Sequence, residues 1–202
     1  MEDVNISTIQ QSPSTGSEAR AALDRRIFAL ASKFEILQGQ PSKCVPSEVL
    51  RKARGIVFLE WAKADFLYST QGGSGIAITR DAASGRWSPA AFVKASLGSQ
   101  AADEHNFIVL ALMAQDAASI LTGSSSGENS DASTEESSVW IYNSRHGFSG
   151  AAVVKSGMIV SDDEANHAYY NMPAKMEHIL AERKVPQSPS VAYLAGKLGS
   201  FA

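Results

Sequence analysis

Leu23, Ile27, Leu30, Phe34 and Leu37 recur at spacings of 4, 3, 4 and 3. That single stripe commits the stretch to an amphipathic helix with one face that must be covered. Ser17 is placed to cap it, Glu18 complements its first turn, and Gly39 and Pro41 end it. Its polar side carries Arg20, Arg25, Arg26 and Lys33 against Glu18, Asp24 and Glu35. The stripe has two destinations. It packs on a sheet, or it enters a membrane interface with the basic side toward headgroups. The two are compatible if the basic side stays exposed after packing.

A second, short helix is expected from Pro46-Ser47-Glu48 to a stop at Gly55, with Val49, Leu50 and Ala53 facing inward and Arg51, Lys52 and Arg54 outward. Beyond Gly55 the pattern changes to short apolar runs between turn residues. Strands are expected at Ile56–Leu59, Gly75–Arg80, Ala91–Leu97, Phe107–Met113, Val139–Tyr142, Phe148–Val154 and Met158–Val160. Gly72–Gly75, Asp81–Gly85, Arg145–Gly147 and Lys155–Gly157 read as turns. Helical turns are expected at 116–121, 162–170 and 174–183. Hairpin-like spacing favours antiparallel pairing. The fold class is therefore α+β: N-terminal helices on a mainly antiparallel sheet or partial barrel, with short C-terminal helices. Residues 1–16 read as a disordered tail, 17–185 as one domain, and 186–202 as a second tail. Within the domain, 123–138 holds seven Ser and four acids and reads as a mobile loop.

Charge is unevenly spread. The net charge is −3 over 202 residues, but residues 17–100 carry +5 and residues 101–202 carry −6. Such asymmetry lets one face meet an anionic partner. The acidic total argues against general nucleic-acid binding. No apolar run reaches the roughly 20 residues of a membrane helix, and a secretory leader is not legible. A cytoplasmic location is the expectation.

Catalytic patterns are weak. One cysteine, Cys44, gives no disulfide framework and has no local nucleophile signature. His105, His146, His167 and His178 lack metal-binding spacing. Gly147-Phe148-Ser149-Gly150 lacks the second glycine and the strand-to-helix context of a hydrolase elbow. Gly72–Gly75 has no following Lys-Ser/Thr, so it is no phosphate-cradling loop of the nucleotide-binding type. Asp162-Asp163-Glu164 lacks calcium-loop alternation and reads as a helix start. No enzyme, cofactor or metal is expected.

Five segments, in order, resemble the SYLF domain family. Lys52-Ala53-Arg54-Gly55-Ile56-Val57-Phe58 is similar to its A-K-G-I-A-I-F opening, and Gly75 to Arg80 to its G-x-G-x-x-x-x-R strand. Gly85-Arg86-Trp87-Ser88-Pro89 is similar to its G-x-W-S-x-P turn, and Tyr142 to Gly150 to its Y-S-R-S-K-G-L-F-A-G hairpin. Ala165-Asn166-His167-Ala168-Tyr169-Tyr170-Asn171 resembles its A-N-x-x-Y-Y-G segment. The likeness covers about residues 45–180. The chain departs from the pattern at Ala64–Ser69, Leu97–Ala102, Phe107 and around Asp131-Ala132-Ser133.

The resemblance implies binding of phosphoinositides or other anionic lipids, with actin association in some members. The expected function is a non-catalytic peripheral membrane module. The lipid-binding candidates are Arg20, Arg25, Arg26, Lys33, Arg51, Lys52 and Arg54, since Lys and Arg near an anionic surface attract it and Arg suits phosphate. The alternative is a module binding actin filaments or another protein of the cortical actin and endocytic machinery.

Overall fold

The structure, a computed structural model, describes residues 15–62, 72–95, 106–123, 138–153 and 158–202. The first helix, α1, spans Thr15–Gln38 and α2 spans Ser47–Lys52. Then come β1 (Gly55–Ala62), β2 (Gly72–Thr79), β3 (Ala91–Ala95), β4 (Asn106–Leu112), α3 (Ala117–Thr122), β5 (Ser138–Asn143), β6 (Gly147–Val153) and β7 (Ile159–Ser161). Helices α4 (Asp163–Tyr170), α5 (Met176–Leu180) and α6 (Pro189–Phe201) complete the order.

All strands join one antiparallel sheet in the order β6-β5-β4-β1-β2-β3-β7. β1 is central because its run Ile56-Val57-Phe58-Leu59 is fully buried, so both of its faces need cover. Period two divides the side chains. Ile56, Phe58, Ile76, Ile78, Phe92, Val109 and Ala111 face α1, α2 and α6. Val57, Leu59, Trp61, Ala77, Val93, Ile108 and Leu110 face α3 and α5.

The sheet is open: among the described residues β6 and β7, its two edge strands, do not pair.

Several sequence expectations are corrected. Gly72–Gly75 is not a turn; it lies within β2, paired with Leu59–Ala62. Residues 186–202 are not a tail. Ser188 accepts a hydrogen bond from the Val191 amide, Pro189 opens the first turn, and α6 buries Val191, Leu194 and Leu198. Helix α1 begins at Thr15, so Ser17 lies inside it rather than capping it. Helix α5 is shorter than expected, and Arg183 beyond it takes a positive φ of 54° that no helix continues. The readings on residues 1–14, the Ser/acid stretch at 124–137, Ala64–Ser69, Leu97–Ala102, His105 and Lys155–Gly157 lie outside the described residues.

Candidate functional site

Helix α1 crosses the sheet with its apolar stripe inward. Ile27, Leu30 and Phe34 are fully buried, Leu37 nearly so, and Leu23 partly. The Phe34 ring meets Phe58 at 5.4 Å and Phe201 at 5.8 Å between centroids. The stripe is core, so the membrane-interface destination is closed to it; only the outer side of α1 is left to meet a surface.

The four basic residues of α1 do not form one row. At about 100° per residue, Arg25 lies near the crest, Arg20 on one flank, and Arg26 and Lys33 on the other. Contacts agree with this. The Arg20 guanidinium sits 5.6 Å from the Tyr169 ring centre on α4, while Lys33 forms an ion pair with Glu60 on β1. Arg25 is exposed and Arg26 half-buried. Among the described residues, no carboxylate pairs with Arg20, Arg25 or Arg26. On the same outer face lie two exposed apolar side chains, Phe28 one turn from Arg25 and Ile36 about 16 Å farther along the helix from Arg25, and Tyr193 of α6 tilts against Phe28 at 5.5 Å. Sequence reasoning passed over these three. The signal was available for Phe28 and Ile36, which fall off the buried stripe.

Arg51, Lys52 and Arg54 gather separately, where α2 runs into β1. Lys52 pairs with Glu48 at 2.7 Å, and its ammonium holds the Glu48 carboxyl below the usual range. Arg51 and Arg54 have no such partner among the described residues. They meet Arg80 at the end of β2. The Arg80 Nη1 donates to the Arg51 carbonyl at 2.7 Å, its amide donates to the Arg54 carbonyl at 2.7 Å, and its guanidinium stacks 4.4 Å above the Trp87 ring. Burial, and after it the Arg54 charge, pull the Arg80 guanidinium below its ordinary range. Arginine stays protonated through such shifts.

The A-N-x-x-Y-Y segment is scaffold. Asn166 is fully buried; its Oδ1 accepts from the Phe92 amide at 2.8 Å, and its Nδ2 donates to the Phe92 carbonyl at 3.0 Å and to Ser161 Oγ at 3.2 Å. The side chain clasps β3 as a neighbouring strand would. Tyr169 Oη lies 2.6 Å from Asp24 Oδ1, 2.6 Å from Ser188 Oγ and 3.0 Å from Ser190 Oγ, joining α1, α4 and α6. The Tyr170 hydroxyl donates to the Ala90 carbonyl at 2.7 Å. Burial raises the pKa of both tyrosines. Asn166→Ala should cost about 1–3 kcal/mol, because it strands the Phe92 amide in the interior, whereas the Phe92 carbonyl still accepts from the Asp162 amide at 2.9 Å. Urea unfolding would measure this, and a midpoint like that of the parent would refute the clasp.

Among the described residues no group of His, Cys, Asp and Glu is arranged to hold a metal. Cys44 donates weakly to the Pro41 carbonyl, and Ser149 Oγ accepts from the Asn143 side-chain Nδ2 at 2.7 Å. No described helix is long and apolar enough to cross a membrane.

Comparison with known proteins now bears on this arrangement. Residues 95–201, about half of the chain, match the model of the family described as "Ysc84: Las17-binding protein actin regulator". The chain belongs to the Ysc84 family. Its relatives include the SH3 domain-containing YSC84-like protein 1 of Homo sapiens, 44% identical over 59 residues, which is 29% of this chain and 17% of the relative. The Xenopus laevis protein of that name is 38% identical over 77 residues, 37% of this chain and 23% of the relative. The matched segments thus span less than a quarter of those relatives. No solved structure matches the chain. The SYLF resemblance read from the motifs is thereby supported, and the match extends through α6.

Proposed function

We propose that this Ysc84-family domain is a non-catalytic peripheral membrane module that docks on anionic lipids, phosphoinositides among them. The observation that carries the reading is the outer face of α1, where Arg25, with no carboxylate partner among the described residues, lies one turn from exposed Phe28 and the Tyr193 ring against it, with exposed Ile36 three turns along and Arg20 and Arg26 on the flanks. Apolar side chains enter the headgroup boundary while arginines hold phosphates, a combination that two-signal membrane binding requires. Arg51 and Arg54 add a second basic region, while Lys33 and Lys52 contribute less because each is offset by a carboxylate. The cytoplasmic leaflet carries the matching negative potential.

The test is co-sedimentation of the full chain with vesicles of phosphatidylcholine alone, or of phosphatidylcholine and phosphatidylserine at nine to one. The expectation is binding to the acidic vesicles only, weakening with salt. Removing three charges with R20Q/R25Q/R26Q should lower affinity by about 100-fold at low salt, at about 1 kcal/mol per charge. Equal pelleting with neutral and acidic vesicles would refute the reading.

The family description, an actin regulator, favours a second reading as a protein-interaction module. Pelleting with actin filaments in the absence of lipid would support it.

A further inference from the structure

The segment Pro186-Gln187-Ser188-Pro189, which leads into α6, carries more than a helix start. A cap followed by proline accounts for Ser188 and Pro189. It does not call for Pro186, two residues ahead of the serine. Two other serines precede a proline, Ser12 and Ser88, and they have Gln10 and Arg86 at that position. Proline two before and one after a serine is the pattern that proline-directed serine/threonine kinases accept. The prolines keep the acceptor extended and carry no N–H for the kinase cleft to satisfy. Ser188 already has that shape, at φ −86° and ψ 161°. Pro186, Gln187 and Pro189 are exposed, and of the four only Ser188 is buried, at 5%. Its Oγ lies 2.6 Å from Tyr169 Oη, 2.8 Å from Ser190 Oγ and 3.3 Å from the Val191 nitrogen. Tyr169 and Ser190 in turn reach Asp24 Oδ1 of α1, at 2.6 and 2.5 Å.

We propose that Ser188 is a phosphorylation site for a proline-directed kinase, and that its phosphate holds α6 off α1. The γ-phosphoryl group of ATP passes to Ser188 Oγ. The bond from the γ-phosphorus to its bridging oxygen breaks with ADP as leaving group, the Oγ–P bond forms, and the hydroxyl proton goes to the kinase's base. The product carries a charge of about −1.5 to −2 and three acceptor oxygens. A helix N-terminus ordinarily welcomes such an anion. Here the space those oxygens need is held by Tyr169 and Ser190, and behind them by the Asp24 carboxylate. Arg20, 5.6 Å from the Tyr169 ring centre, brings one positive charge, which does not offset both the phosphate and Asp24. The start of α6 therefore swings out. Because the acceptor is buried, the kinase acts on molecules whose α6 has opened, and its rate follows the population of that open form. Opening lifts Val191, Leu194 and Leu198 from the core, Phe201 from Phe34 and Tyr193 from Phe28. The inference holds whether or not the α1 face meets lipid.

The experiment incubates the full chain with a proline-directed serine/threonine kinase and ATP, maps the phosphate by mass spectrometry, and follows Tm and amide hydrogen exchange. Ser188 should take up phosphate in the parent. L194A, which loosens α6 and leaves the motif intact, should be modified at Ser188 about tenfold faster or more. The phosphorylated parent should lose protection in α6 by about tenfold or more, and its Tm should fall further than that of unphosphorylated S188A. That variant lacks only the cap, so it separates the lost hydroxyl from the added phosphate. Phosphatase treatment should restore both readouts, which keeps release of α6 separate from irreversible misfolding. No phosphate at Ser188, even in L194A, would overturn the site. An equal rate in parent and L194A would overturn access through opening of α6. A phosphorylated chain with α6 protection and Tm at or above the parent's, or with a Tm no lower than that of S188A, would overturn the release of α6.

Discussion

Gly75→Ala is expected to leave no cooperatively folded protein. A Cβ built at Gly75 would lie 1.7 Å from the Phe58 carbonyl oxygen, 2.8 Å from its carbon and 3.0 Å from Leu59 Cα. All three are backbone atoms of β1, the central strand, so no side chain can swing aside. Relief requires β1 and β2 to separate along a pair that spans Gly55–Ala62 against Gly72–Thr79. The cost should exceed about 4 kcal/mol, the range reserved for exceptional single substitutions, against a total stability of about 5–15 kcal/mol. Gly196→Ala makes a matched control. It lies in α6 with nothing within 4 Å, and should gain up to about 1 kcal/mol from helix propensity. Circular dichroism and urea unfolding of both variants would check the pair. A Gly75→Ala protein melting within a few degrees of the parent would show that the β1–β2 approach is not this close.

Truncation after Gln187 is expected to have an effect of similar size. It removes α6, and with it the burial of Val191, Leu194 and Leu198. At about 1.5–3 kcal/mol for each buried side chain, the loss is roughly 5–9 kcal/mol, most of the stability of a domain of this size. It also strips Ser188 and Ser190 from the cluster around Tyr169 and Asp24, and Phe201 from Phe34. The truncated chain should lose its sigmoidal urea transition and expose apolar surface to a dye such as ANS. A truncated chain that kept the parent midpoint would restore the tail reading of 186–202. Leu194→Ala, which leaves the helix in place, should cost about 2–5 kcal/mol.

The two predictions mark where sequence reasoning worked and where it did not. The stripe from Leu23 to Leu37 and the apolar runs at Ile56–Leu59 and Phe107–Met113 are legible because their periods match the structures they form. Gly72–Gly75 misleads because glycine usually marks a turn, whereas Gly73 and Gly75 make room for the Trp61 ring and the Phe58 carbonyl. That close approach belongs to a partner strand, and no local window contains it. Residues 186–202 mislead for the opposite reason. Pro186, Pro189 and the serines resemble a linker, yet Ser188-Pro189 is a helix start, the cap followed by proline at the first helical position. The candidate basic residues are legible one by one, but their grouping is not. Arg20 and Arg25 are five residues apart and point to different sides of α1, while Arg51 and Arg80 are 29 apart and touch.

The pairing of α1 with α6 also bears on how the protein is made. The Ser190 hydroxyl donates to Asp24 across 166 residues of sequence, so the first helix waits for a partner that leaves the ribosome long afterwards. Until then, the nascent chain holds Leu30, Phe34 and the outer surface of the central strands without their cover. Long-separated contacts slow folding and prolong that exposure. Synthesis speed and chaperone supply, more than the affinity of any single contact, would then govern how much of this protein reaches its working form.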